Sequence, residues 1–259
     1  MKTASDRPVA LVTGAGGGLG GAIAHALAAG HDLVLNDLSA DTLEPLAADL
    51  RATGARVAVA AQDIARVEEL PTFVQHVQDA FGRLDVLVNN AGVSVMSRGD
   101  ILDVTPESFD RCIAVNLRGQ FFLTQAVARA MIAAPAPDPE RRRAIVTVTS
   151  VAVDTIGTVL AEYSISKAGL AHAVKDFAVR LVTEGIDCYE VRPGMMKTAM
   201  TASSLEKYSA MIEGGHVPAR RWGEVEDIAQ SIATLASGGL RYAVGQTLNI
   251  DGGFSLKTY

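Results

Sequence analysis

The sequence predicts a single α/β domain, a parallel sheet with helices on both faces. Three observations carry this. Short apolar, β-branched runs alternate throughout with stretches of helical spacing. The first run, VALVTG (9–14), closes directly on glycine, as a buried parallel strand does before a tight turn. A chain of 259 residues, 49% apolar, also suffices for one sizeable core, and no repeat, low-complexity tract or linker marks a second domain.

Each element has its own signature. Residues 19–29 (LGGAIAHALAA) carry helical spacing and stop at Gly30. DLVLND (32–37) is the second strand, and ADTLEPLAADLRATG (40–54) is a helix capped by Ser39 and closed by Gly54. RVAVAAQD (56–63) is the third strand, followed by a helix through EELPTFVQHVQDAF, and LDVLVNNAG (84–92) is the fourth strand. One long helix is expected from Pro106 to Met131, closed by the Pro-rich turn APAPDPE. AIVTVTS (144–150) and IDCYEVRPG (186–194) are strands five and six around a helix at 161–183. A helix near 226–237 leads to a seventh strand, QTLNIDGG. Such sheets bind ligands outside the carboxyl ends of their strands.

Composition excludes several classes. A net charge of −6 argues against a nucleic-acid or anionic-membrane partner. The basic run Arg141-Arg142-Arg143 reads as a solvated loop. No run of 18 apolar residues suggests a membrane span, and no apolar stretch before the first glycine suggests a signal peptide. Cys112, on an apolar helical face, and Cys188 lack metal-ligand spacing, so neither a metal site nor a disulfide framework is expected. The expectation is a soluble protein of the reducing cytoplasm.

TGAGGGLGG (13–21) admits two glycine registers: Gly14, Gly18 and Gly20, or Gly16, Gly18 and Gly21. Only the first begins where the strand ends. Its glycines let the backbone turn and approach a pyrophosphate at a helix N-terminus. Asp37 follows Gly20 by 17 residues, near the spacing at which a carboxylate meets the adenosine ribose hydroxyls. It would repel a 2′-phosphate, and neither the glycine loop nor residues 38–40 hold a compensating Arg or Lys. NAD is therefore expected over NADP. Asp63, followed by Ile64, is placed to take the adenine amino group or to serve a turn. Asn89-Asn90-Ala91-Gly92 can satisfy neighbouring strand ends and leave room for a flat ligand.

The proton chemistry points to Tyr163 and Lys167. At i and i+4 on a helix they share a face, and an ammonium beside a phenol lowers its pKa from about 10 toward working pH. A tyrosine so placed is a general acid or base. Ser150, ending strand five, can donate to a substrate oxygen, and Asn116 can hold a water that passes the proton on from Lys167.

TGAGGGLG, Asp63, NNAG, Asn116, Ser150, Tyr163-x-x-x-Lys167, Pro193-Gly194 with Thr198, and the terminal DGG resemble, in order, the short-chain dehydrogenases/reductases over residues 8–254. The resemblance implies a Rossmann-type, doubly wound, seven-stranded sheet. It makes Tyr163 the acid/base, Lys167 the nicotinamide-ribose ligand that tunes it, Ser150 the orienter of the substrate oxygen and Asn116 the end of the relay. It implies cofactor contacts at Gly14, Gly18, Leu19, Gly20, Asp37, Asp63, Ile64, Asn90, Ala91, Gly92, Tyr163, Lys167, Pro193, Gly194, Met196 and Thr198. It also implies a homotetramer built through the helices at 106–131 and 161–183 and the last strand. Where the subgroup commonly carries a serine or a basic residue, this chain has Gly16-Gly17, in keeping with NAD.

For the substrate, Ser150, Tyr163, Asp154 and Met195 are expected contacts, under a helical lid at about 199–220 hinged at Gly214-Gly215. Lys197, His216 and Arg220 could meet an anionic group, though lid charges are more often only solvated. The NAD preference leans toward a sugar, polyol or related hydroxylated metabolite. The alternative is an NADPH-dependent 3-oxoacyl-carrier-protein reductase, which DVTPESFDR and YEVRPG resemble. A silent NAD-binding scaffold would have lost Ser150, Tyr163 or Lys167; all three are present.

Overall fold

In the computed structural model, which describes residues 7–134, 143–240 and 242–256, seven strands run parallel. They are β1 Val9–Thr13, β2 Asp32–Asn36, β3 Val57–Val59, β4 Val86–Asn89, β5 Arg143–Val148, β6 Ile186–Pro193 and β7 Thr247–Ile250. Their spatial order is β3-β2-β1-β4-β5-β6-β7. The order reverses between β1 and β4, which opens a crevice at their carboxyl ends.

Strand alternation builds two apolar layers. Ala10 and Val12 of β1 face Ile23 and Leu27 of α1 (Gly18–Ala28), Leu43 and Leu50 of α2 (Ala40–Ala52), and Ile228 and Ile232 of α8 (Val225–Ala236). Val9 and Leu11 face the other layer, from α3 (Leu70–Phe81), α5 (Gln120–Ala133) and α6 (Ala161–Leu181). Each fully buried Leu, Ile or Val contributes roughly 1.5–3 kcal/mol to this arrangement. Two short helices, α4 (Pro106–Cys112) and α7 (Leu205–Glu213), complete the set.

One expectation is refined and two are corrected. The helix from Pro106 runs on without interruption to Ala133, but its turns widen to π over Ile113–Gly119, between α4 and α5. β3 is regular only over Val57–Val59; beyond it the N–H groups of Ala60 and Gln62 still reach the Leu35 and Asp37 carbonyls, and Asn36 Nδ2 donates to the carbonyls of Ala60 (3.0 Å) and Gln62 (3.1 Å), so the stretch continues as an irregular extension. Arg143 is not a solvated loop residue. It opens β5, is buried, and its guanidinium caps the end of α5 at the carbonyls of Met131 and Ala134. Residues 135–142, with the rest of that basic run and most of the Pro-rich turn, lie outside the described residues.

Candidate active site

At the end of β1 the backbone must come very close to its neighbours. Gly14 has φ +65°, and a Cβ there would lie 2.8 Å from Ala91 Cα. A Cβ at Gly20 would lie 2.1 Å from the Gly14 carbonyl oxygen, so α1 packs directly on the loop. Gly18 by contrast faces open space. The register Gly14, Gly18, Gly20 thus combines a left-handed turn, an open approach and a close helix contact. No side chain caps α1, which leaves its first-turn N–H groups free to receive a phosphate.

The neighbouring strand ends are wired to this loop. Asn90 Nδ2 donates to the carbonyls of Thr13 (2.9 Å) and Gly14 (3.2 Å), while Thr13 Oγ1 accepts from the N–H groups of Asn90 and Ala91. Asp37 Oδ2 accepts from Gly16 N–H at 3.0 Å, which sets its carboxylate beside the glycine loop. Asp63 accepts from Ala65 N–H and so serves a turn, and the Ile64 side chain is buried in the core. A dinucleotide fits this cradle: Gly18 and the α1 N-terminus suit a pyrophosphate, and Asp37 suits ribose hydroxyls.

The catalytic candidates converge beyond β5. Lys167 is buried and its Nζ donates to the Val148 carbonyl at 2.9 Å, 6.0 Å from the Tyr163 ring centre. Ser150, two residues past the strand, accepts from Ala152 N–H and is a hydrogen-bond partner of the Tyr163 phenol. Asn116 is held in place: its amide exchanges both hydrogen bonds with the Val93 backbone and donates to Ser166 Oγ at 3.0 Å, and its Oδ1 keeps a second lone pair. The expectation that Lys167 lowers the Tyr163 phenol is corrected. Burial pushes Tyr163 above its ordinary range, opposed by the Ser150 hydrogen bond. Burial likewise draws Lys167 down to about 8.

Past β6, Gly194 packs on Asp251, where a Cβ would lie 2.6 Å from its Cα. The Met196 side chain is buried in the core beside Gly223, so a cofactor contact there falls to its backbone. Thr198 caps a helical turn over Ala199–Ser204 rather than standing free. The segment expected as a lid continues through α7, and Gly215 has φ +85°. Its far end is tied down: Ala219 N–H donates to the Gly252 carbonyl at 2.9 Å, and Trp222 Nε1 to Ser209 Oγ at 3.3 Å. Of the substrate-wall candidates, Met195 lines a cleft with Met196, Val217 and Asp251, whereas Asp154 is ion-paired to Arg192. Nearby, Glu162 of α6 is buried against Ser108, whose hydroxyl donates to it at 2.6 Å.

Sequence reasoning missed Thr149, Glu190 and Arg192. The signal was an E-x-R pair inside a fully buried strand, where alternation places both charges on one face. It also missed Tyr208 of α7, whose phenol lies close enough to Tyr163 to act on it electrostatically. Among the described residues no His, Cys, Asp and Glu cluster could hold a metal ion, and no helix is long and apolar enough to cross a membrane. Both cysteines are free thiols and buried.

Sheet, cradle and Ser-Tyr-Lys set together define an oxidoreductase acting on a CH–OH group with a nicotinamide cofactor. Residues 14–255 match the family model described as enoyl-(acyl carrier protein) reductase. A 3-oxoacyl-[acyl-carrier-protein] reductase of Synechocystis sp. is 34% identical over 254 residues, covering 97% of this chain and 98% of that one. The Escherichia coli 3-oxoacyl-[acyl-carrier-protein] reductase is 35% identical, covering 95% and 96%. The crystal structure of a Brucella melitensis 3-oxoacyl-[acyl-carrier protein] reductase in complex with NAD superposes with a TM-score of 0.94 at 45% identity, over 98% of this chain and all of that one. The chain belongs to the short-chain dehydrogenase/reductase family.

Proposed function

We propose that the protein interconverts a 3-oxoacyl thioester and the corresponding 3-hydroxyacyl thioester with NAD(H). The observation that carries this is the convergence of Ser150, Tyr163 and Lys167 at the end of β5. Ser150 orients the substrate oxygen, and Tyr163 gives it a proton in reduction or takes one in oxidation. Lys167, held by the Val148 carbonyl, positions the ribose side of the cofactor and the field at the phenol. The nicotinamide, when bound, supplies or accepts the hydride at the substrate carbon. The similar 3-oxoacyl reductases favour the thioester over the sugar or polyol that NAD preference alone suggested.

Asp37 supports NAD, since its carboxylate stands beside the loop that would hold the adenosine end. Exposed Phe122, Ile165 and Val179 on α5 and α6, helices whose other faces are core, support a homotetramer through these helices. The 199–220 segment serves as the lid of a single domain. Steady-state assays with acetoacetyl-CoA and either NADH or NADPH, beside a panel of polyols, sugars and acidic sugars with NAD, test the reading. Thioester reduction with NADH preferred is expected. Turnover of a polyol or sugar with none on the thioester overturns the substrate class, and a clear NADPH preference overturns the cofactor.

A further inference from the structure

All eight residues of β6 are buried, yet the strand carries Glu190 and Arg192. They share the face on which Cys188 meets α6. Glu190, 1% exposed, accepts from Thr149 Oγ1 (2.5 Å), Thr247 Oγ1 (2.6 Å), and Arg192 Nε (2.7 Å) and Nη2 (3.0 Å). Arg192 reaches on with its other nitrogen to Asp154, in the turn after Ser150. Burial opposes ionisation here, but the bonds from Arg192, Thr149 and Thr247 hold the Glu190 carboxyl below its ordinary range.

A buried ion pair is weak support for stability, because apolar residues of similar size commonly do as well or better. Its place in the fold gives it another use. Three consecutive residues follow one another past the strand end: the Val148 carbonyl takes the Lys167 ammonium, the Thr149 hydroxyl is clamped by Glu190, and Ser150 faces Tyr163. Thr149 is fixed a second time by its N–H on the Val191 carbonyl at 2.9 Å.

We propose that Glu190 is a positioning residue: by clamping Thr149 it sets the Val148 carbonyl and Ser150 hydroxyl that hold Lys167 and Tyr163, while Arg192 extends the constraint to Asp154. This rests on the reading of Ser150, Tyr163 and Lys167 as the catalytic set. The carboxylate also acts on the ammonium electrostatically, favouring its charged form. The titratable groups acting on Lys167 are Cys112 at the end of α4 and Glu190 on β6, with Tyr163 on its own helix.

Glu190→Gln keeps the size but removes the charge and leaves one acceptor oxygen where two carboxylate oxygens accept from Thr149, Thr247 and Arg192, so the clamp is broken on one side. Its kcat should fall about tenfold, with KM and NADH affinity within about twofold of wild type. The alkaline limb of kcat/KM should move to lower pH, since Lys167 loses the negative neighbour that favours its protonated form. The apolar pair Glu190→Leu with Arg192→Met repeats the test without a lone buried charge and should show the same two changes. A kcat within twofold of wild type, or a drop that scales evenly across pH with the limb unmoved, overturns the proposal. Tyr163→Phe, assayed in parallel, separates the two layers. If it keeps turnover, the catalytic reading fails; if it loses turnover while the Glu190 variants match wild type, only the positioning role fails.

Discussion

At the ends of β1, β2 and β4 the chain presents backbone, whereas beyond β5 and β6 it presents side chains. The first region is shaped by what glycine lacks: a turn at φ +65°, a helix packed where a Cβ would lie 2.1 Å from a carbonyl, and uncapped N–H groups at the start of α1. Its polar side chains, Thr13 and Asn90, tie strand ends to one another. The second region buries ionisable groups, Lys167, Glu190 and Arg192, beside a phenol. A backbone site binds without moving a proton; only the second region can do acid–base work. The difference separates binding from chemistry along one sheet edge.

The largest expected effect breaks the chemistry and spares the binding. Tyr163→Phe should lower kcat about 10³-fold, the range of a lost general acid, while NADH affinity by fluorescence titration stays within about twofold. A parallel loss of NADH binding would show that the two regions are not separate.

The next test uses the burial that distinguishes the second region. Lys167 sits at about 8 when folded, below its ordinary 10.5. Below pH 8 both folded and unfolded chains hold its proton, and folding carries the full cost of burying the ammonium. Between about 8 and 10.5 the unfolded chain binds the proton more tightly than the folded one, so the cost is released as pH rises. Wild type should therefore gain stability relative to Lys167→Met across that window, by about 3 kcal/mol in all. Urea unfolding of both proteins at a series of pH values reads it. A difference flat with pH would mean that Lys167 is not desolvated.

What was legible follows the same division. A backbone requirement leaves a local mark: Gly14, Gly18 and Gly20 stand within seven residues, and NNAG is contiguous, so the cradle and the seven strands could be read directly. Tyr163 and Lys167 were legible because helical spacing joins them. Thr149 and Glu190 lie 41 residues apart and meet only through strand register, which no local pattern records. The pairing of Asp154 was hidden for a related reason: its partner Arg192 comes from β6, far along the chain. The widening of the helix after Cys112 was hidden as well, because the apolar spacing of IAVNLRG suits α and π turns alike. The direction of the Tyr163 shift depended on burial, which spacing does not give.

The smallest effect concerns a charged side chain in the backbone region. Asp37 touches the loop through Gly16 N–H and is placed to decide which dinucleotide binds. Asp37→Asn keeps an acceptor for that N–H and removes the charge that would repel a 2′-phosphate. The ratio of kcat/KM for NADH over NADPH should fall about tenfold. An unchanged ratio would show that specificity lies elsewhere on the edge. Adding a cation should then depend on order. A Cβ at Gly16 would lie 2.9 Å from Asp37 Oδ2, so an arginine there would crowd the carboxylate and pair with it instead of a phosphate. Gly16→Arg should accordingly do little for NADPH in the wild-type background and raise its use once Asp37 is neutral. That non-additivity is expected of two neighbours sharing one contact, and a simple sum of the two changes would place position 16 out of reach of Asp37.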